Sequence, residues 1–337
     1  MAPTIYVITF YELNHNSPGY RSRPIDPRIL DSDRPYVYYL VDDTVPAPLR
    51  EKPVLFEKQI DPQLYEAGAR HFGEWSFLLA ELKHSFCEYP MFMISSRFYE
   101  KNNWLQTDLN TEWDRLFSYL ERYGWGYLPS YDRPLGWIEY DWNRFQRGQR
   151  TKRFRPFTPS TFEAVREIYG VRIPEDYPAM SDLQCNYVGF HSRQHLVDYV
   201  EFYRPLVSHF FDDAYQPRRD LSAVVRSNTT NYRNEKPFTF LLVYLSHLFF
   251  FARRQKIFAL HYGGYYEVDE AKTKLKRLER IQVPWPREIR WRLSWEAWRL
   301  FVRAREAAMP FYSGLPAPVR ETYRGAKAAV RSRLAAQ

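Results

Sequence analysis

The alternation of short apolar runs with helically spaced ones constrains this chain more than any other feature of its sequence. Residues 5–10 (IYVITF), 36–41, 54–56, 91–94 (MFMI), 125–128 and 186–191 (NYVGFH) read as strands, several closed by turn chemistry such as Asp42-Asp43. Between them, apolar residues recur at three- and four-residue steps. Over residues 61–86 these are Leu64, Ala67, Phe72, Trp75, Leu78, Leu79 and Leu82, which predicts an amphipathic helix with Asp61 as N-cap and Pro62 at its start. The same spacing predicts helices over 111–123, 161–169 and 194–211, and one hydrophobic helix over 238–253. Strands interleaved with helices predict an α/β domain over residues 1–265. From Glu270 onward Leu275, Leu278 and Ile281, then Ile289, Leu293, Trp295 and Trp298, read as helical, so residues 266–337 are expected to form a helical extension broken by prolines.

With 337 residues and 45% hydrophobic content, the chain can bury a substantial core. Aromatics make up 18% of it against only 13 Gly, so Gly-rich phosphate loops are scarce. Neither GxGxxG nor GxxxxGK[ST] occurs, which argues against a Rossmann dehydrogenase, a methyltransferase and a P-loop enzyme. GxSxG and HExxH are missing too, and the i, i+4 pair His191 and His195, which flanks a strand-helix junction, has no Cys partner at zinc-ligand spacing. Cys87 and Cys185 sit in apolar runs, as in a reducing compartment. The first residues carry no basic region ahead of a six-residue apolar run and read as a strand, not a signal peptide. The longest apolar stretch, 238–252, is shorter than the roughly 20 residues a membrane span needs. A soluble, cytoplasmic protein is expected.

The formal charge of +8 is concentrated at one end: residues 271–337 hold about 16 Lys/Arg and 5 Asp/Glu. There Arg287, Arg290, Arg292, Arg299, Arg303 and Arg305 interleave with Trp285, Trp291, Trp295 and Trp298. That composition suits peripheral contact with an anionic membrane surface, where aromatic side chains sit at headgroup level. A helix packed on the main domain with a solvated basic face accounts for it equally well. Nucleic acid is a weaker third reading, because the rest of the chain is near neutral.

Polar residues expected at strand carboxyl ends are Thr9 and Tyr11, Asp42 and Asp43, and Ser95, Ser96 and Arg97. In a doubly wound sheet these converge on one crevice, the usual ligand site of such folds. Taken singly, each is ordinary turn chemistry.

The order IYVITF, FGEWSFLLAELKHSF leading into MFMISSRFYEKN, NYVGFHSRQHLVDYVEFYRPLVSHFF, and PFTFLLVYLSHLFF resembles bacterial polysaccharide-biosynthesis glycosyltransferases of the GT-A type, in the capsular and exopolysaccharide group without a clear DxD. The likeness covers residues 4–262 and lies in segment order. It implies a GT-A-like, Rossmann-type mixed sheet flanked by helices, a nucleotide-sugar donor, and a glycan or lipid-linked glycan acceptor. It places Glu74 and Arg97 beside the donor, and Gln184 and Asn186 near the transferred sugar. Where the family often carries a Glu-Arg pair in its final apolar helix, this chain has Val243 and Tyr244.

Transfer from a nucleoside diphosphate sugar needs positive charge at the departing diphosphate, from a metal or from Arg/Lys. Arg97, Lys101, Arg144, Arg150, Lys152 and Arg153 are available. An inverting enzyme also needs a carboxylate to take the acceptor's hydroxyl proton, and Asp182, ahead of Asp132, Glu139 and Asp141, is the first candidate. The last three are concentrated with Tyr127, Tyr131, Trp137, Tyr140 and Trp142, where aromatic faces beside carboxylates suit a carbohydrate. Asp31-Ser32-Asp33 is the one literal DxD, but RIL before it is a poor strand, and a solvated loop explains it better. No metal ligand is assigned and a divalent cation, Mn or Mg, is left open. The reading from another class is a non-catalytic protein that binds membrane or nucleic acid through the basic aromatic tail.

Overall fold

The computed structural model describes residues 3–9, 25–32, 34–41, 44–96, 98–101, 109–128, 159–172, 187–218, 237–246, 248–261, 263–269, 274–281, 293, 296–297, 300 and 304. Among them run β1 (Thr4–Thr9), α1 (Pro27–Leu30), β2 (Tyr36–Leu40), β3 (Val54–Phe56), α2 (Glu57–Ile60), α3 (Pro62–His71), α4 (Trp75–His84) and β4 (Met91–Ser95). Then come α5 (Phe98–Lys101), α6 (Leu109–Tyr123), β5 (Trp125–Tyr127), α7 (Pro159–Tyr169), β6 (Val188–Phe190) and α8 (Arg193–Phe210). Last are α9 (Pro237–Leu245), α10 (Leu248–Arg253), β7 (Lys256–His261), β8 (Gly264–Asp269) and β9 (Lys274–Arg280). The protein is α/β, with a large mixed sheet flanked by helices.

The nine described strands form one sheet in the order β3-β2-β1-β4-β6-β5-β7-β8-β9. β1 pairs in parallel with β2 on one side and β4 on the other, and β2 pairs in parallel with β3. β6 is reversed, antiparallel to both β4 and β5, while β5 and β7 are parallel. An antiparallel β7-β8-β9 meander closes that end. Every residue of β1 and β4 is buried, as expected of strands covered on both faces.

Alternation along the strands sorts side chains between two helical layers. Tyr6 and Tyr39 face α4, where Phe77 meets both rings at 5.3 and 5.1 Å. Phe92 and Phe258 face α6, against Trp113, Phe117 and Tyr119. Two glycines opposite each other, Gly126 on β5 and Gly189 on β6, make room for those rings. A Cβ on Gly126 would lie 2.3 Å from the Phe258 ring, and one on Gly189 2.2 Å from the Phe92 ring.

Three differences from the sequence reading have clear causes. The helix expected over 61–86 is two, α3 and α4, because Gly73 takes a positive φ of 55° between them. Asp61 does cap the first, accepting from the Leu64 N–H at 3.0 Å. The helix expected over 238–253 is likewise split into α9 and α10, and the carbonyls freed at the break lie in the core. There the Tyr203 hydroxyl donates to Leu245 O at 2.6 Å, and both Tyr199 (3.1 Å) and Tyr127 donate to Ser246 O. A buried helix end needs such partners.

The third difference is at residues 275–281, expected as helix from Leu275, Leu278 and Ile281; they lie in β9 and just past it, held by pairing with β8. The sheet therefore continues beyond residue 265, and the chain divides into compact units at Met1–Val283 and Pro284–Gln337. In the second unit Leu293, Glu296, Ala297, Leu300 and Ala304 are helical and exposed. Among the described residues no helix is long and apolar enough to cross a membrane.

The glycine pair gives a direct test of this packing. Gly189→Ala should cost about 1–3 kcal/mol through overpacking against Phe92, measured by denaturant unfolding. Phe92→Leu in the same chain should return part of that loss, because the two changes share one space.

Candidate functional site

Since β1 to β4 are parallel, their carboxyl ends share one edge of the sheet. The order β3-β2-β1-β4 means that the chain leaves β1 toward β2 and later returns on the other side of β1 as β4. This reversal between β1 and β4 is a topological switch point, where open α/β sheets take their ligands. Thr9 ends β1 and Ser95 ends β4, with Ile8 and Ser95 in register. Main-chain bonds hold the edge together: Val41 N–H donates to Thr9 O at 3.1 Å, and Ser96 N–H to Ile8 O at 3.1 Å.

The two side chains alternate to opposite faces. Ser95 points with Tyr6 and Met93, and its hydroxyl lies 2.5 Å from that of Tyr187, a fully buried residue just ahead of β6. Thr9 points to the other face, 1% exposed, and its hydroxyl has no hydrogen-bond partner among the described residues. An unmet buried hydroxyl costs about 1–3 kcal/mol, so native structures keep few of them.

Asp26 joins the same edge, its N–H reaching Ser96 O at 3.4 Å. Its carboxylate is held by Arg28 at both oxygens, Nε to Oδ1 at 3.0 Å and Nη2 to Oδ2 at 2.9 Å, and it caps α1 through the Arg28 N–H. Burial works to raise the pKa of Asp26, but the bonds from Arg28 outweigh it and hold the carboxyl below its ordinary value. The Arg28 guanidinium lies 4.7 Å over the Tyr99 ring. Burial first, then the neighbouring Tyr36, pushes the Tyr99 phenol up, so it stays protonated.

Glu74 stands at the amino end of α4, half-buried next to Trp75, and caps no N–H of that helix. Because α4 leads back into the start of β4, its amino end lies toward the carboxyl edge. Trp75 is packed on Tyr199 and Tyr203. Tyr11, Arg97, Asp132, Glu139, Asp141, Asp182, Gln184 and Asn186 lie outside the described residues, as do Asp33, Asp42 and Asp43. Among the described residues no group of three or more His, Cys, Asp or Glu side chains is gathered as a metal site.

Sequence reading passed over Asp26 and Tyr187. Asp26-Pro27 ahead of Ile29 and Leu30 is a helix-start signal, and it opens only one turn of helix, too short to show a periodicity. Nothing in the sequence marks Tyr187 apart from the other tyrosines. Two buried acids away from this edge, Glu81 and Asp61, are structural. Glu81 accepts the Phe86 and Cys87 N–H groups and the Tyr89 hydroxyl after α4, and Asp61 binds Lys83 and His84.

A comparison with known proteins finds no match: no family model, no curated protein and no solved structure is similar to the chain.

The His191 and His195 pair lies across the sheet from this edge, where β6 gives way to α8. His195 sits on Trp125 with ring centroids 4.2 Å apart, and its Nδ1 is 2.9 Å from the Ser192 hydroxyl. Burial first, then His191, lowers its pKa below 6.5, while Asp198 pulls the other way. A depressed His stabilises the fold above its unfolded pKa, and that contribution is lost as pH falls through the folded value. His195→Gln should therefore show a smaller loss of melting temperature than the parent between pH 7.5 and pH 5; an equal loss would contradict this.

Proposed function

We propose that the chain is a GT-A-like glycosyltransferase that transfers a sugar from a nucleoside diphosphate sugar to a glycan acceptor in polysaccharide or surface-glycan biosynthesis. The observation that carries the proposal is the switch point between β1 and β4, where the buried Thr9 hydroxyl has no partner among the described residues. A sheet with one reversed strand, β6, set into a run of parallel ones also supports it, as the mixed sheet that the resemblance implies.

In this reading the donor's nucleotide lies across the carboxyl ends of β1 and β4, and Thr9 supplies a hydrogen bond to it. Glu74, Ser95, Tyr11 and Arg97 line the donor side, with Gln184 and Asn186 near the sugar. Arg97 and the basic residues of 144–153 offset charge that develops on the departing diphosphate. A carboxylate, first Asp182 and otherwise Asp132, Glu139 or Asp141, takes the acceptor's proton as the new glycosidic bond forms. No metal ligand is assigned, and no step is routed through a divalent cation.

The switch point favours a domain with a ligand site of its own over a protein that only binds through its tail. Thermal-shift measurements with UDP, GDP and TDP and their sugars test this. One nucleotide class should raise the melting temperature, since a ligand at a hundred times its Kd adds about 2.7 kcal/mol. Thr9→Val, close in shape, should keep or raise the ligand-free melting temperature and lose most of that response. A chain that responds to no nucleotide at millimolar concentration has no donor site.

A further inference from the structure

The exposed large apolar side chains among the described residues are Leu293 and Leu300, 64% and 63% accessible, and both belong to the unit Pro284–Gln337. Neither stands alone. Leu293, Ala297, Leu300 and Ala304 are all helical and all exposed, and they follow one another at steps of four, three and four residues. On a helix of 3.6 residues per turn, those steps put the four within about 60° of one another. A soluble helix turns such a stripe toward a core; here it faces outward. Glu296 is the exposed acid beside it.

The charge around this stripe says what it fits. Residues 284–337 hold 11 Lys/Arg and 4 Asp/Glu, an excess of cations in a short segment. In the sequence Arg292, Arg299 and Arg303 repeat the spacing of Leu293, Leu300 and Ala304 one position earlier. Cations repeating with an exposed Leu/Ala stripe meet the two demands of an anionic bilayer: apolar side chains for the acyl boundary and positive charge for the headgroups. A protein partner would also cover leucines, but only an anionic one would use the cations, and nucleic acid would leave the leucines in water.

We infer that the face bearing Leu293, Ala297, Leu300 and Ala304 is a peripheral docking surface for an anionic lipid bilayer. It lies in the plane of the headgroups and does not span the membrane. The inference stands whether or not the larger unit transfers sugars.

Co-sedimentation of the full chain with phosphatidylcholine vesicles, with and without 30% phosphatidylglycerol, tests it. The parent should bind the anionic vesicles, with affinity falling as salt rises, and bind the neutral ones at least tenfold more weakly. Leu293→Gln with Leu300→Gln should cut anionic binding at least tenfold. Both leucines are exposed, so the melting temperature should stay within about 2 °C, in line with surface substitutions in general. Equal binding by parent and variant would overturn the inference, as would no binding at millimolar lipid. So would a parent dimer in light scattering that the double variant converts to monomer without any vesicle binding, since the stripe would then belong to a second copy.

Discussion

Parallel pairing on both sides of β1 is the constraint from which the rest of the arrangement follows. A strand bonded in parallel to β2 and β4 cannot be reached by tight turns, so each connection must cross a face of the sheet. The crossing that returns to β4 places α4 over one face of β1, where Phe77 meets Tyr6, and parallel pairing brings the carboxyl ends of four strands to one edge. The interior position of Thr9 is a by-product of the same geometry. Being last on a strand paired on both sides, it is buried, and its register partner is Leu40 of β2.

The aromatic content has a comparable physical role in the second half of the sheet. Tyrosine brings apolar bulk and a hydroxyl that must find an acceptor when buried. Tyr127, Tyr199 and Tyr203 find theirs at the break between α9 and α10, so one set of rings fills the core and also satisfies two freed carbonyls. On the opposite face the phenylalanines Phe92 and Phe258 fill space left by Gly126 and Gly189. Much of the unusual composition is thus explained by packing before any ligand is considered.

What the sequence made legible follows from which forces are local. IYVITF, MFMIS and VGF were readable as strands because β-branched and aromatic runs need no distant partner to be recognised, and Asp61 announced its helix through the proline beside it. Residues 274–280 were misread, since KLKRLER has leucines at a three-residue step that suit a helix, and only pairing with β8 overrides that pattern. At the candidate site Thr9 and Ser95 could be named from strand ends alone. That they alternate to opposite faces depends on register, and the contact of Ser95 with Tyr187 joins residues 92 positions apart. No local pattern carries such information.

The nucleotide site proposed for this protein is the carboxyl edge between β1 and β4. A crystal structure of the full chain soaked with a nucleoside diphosphate tests it most directly. Density is expected across the ends of these two strands, with a nucleotide atom within hydrogen-bond distance of Thr9 Oγ1. Nucleotide bound on another surface, with that hydroxyl still unpartnered, would contradict it.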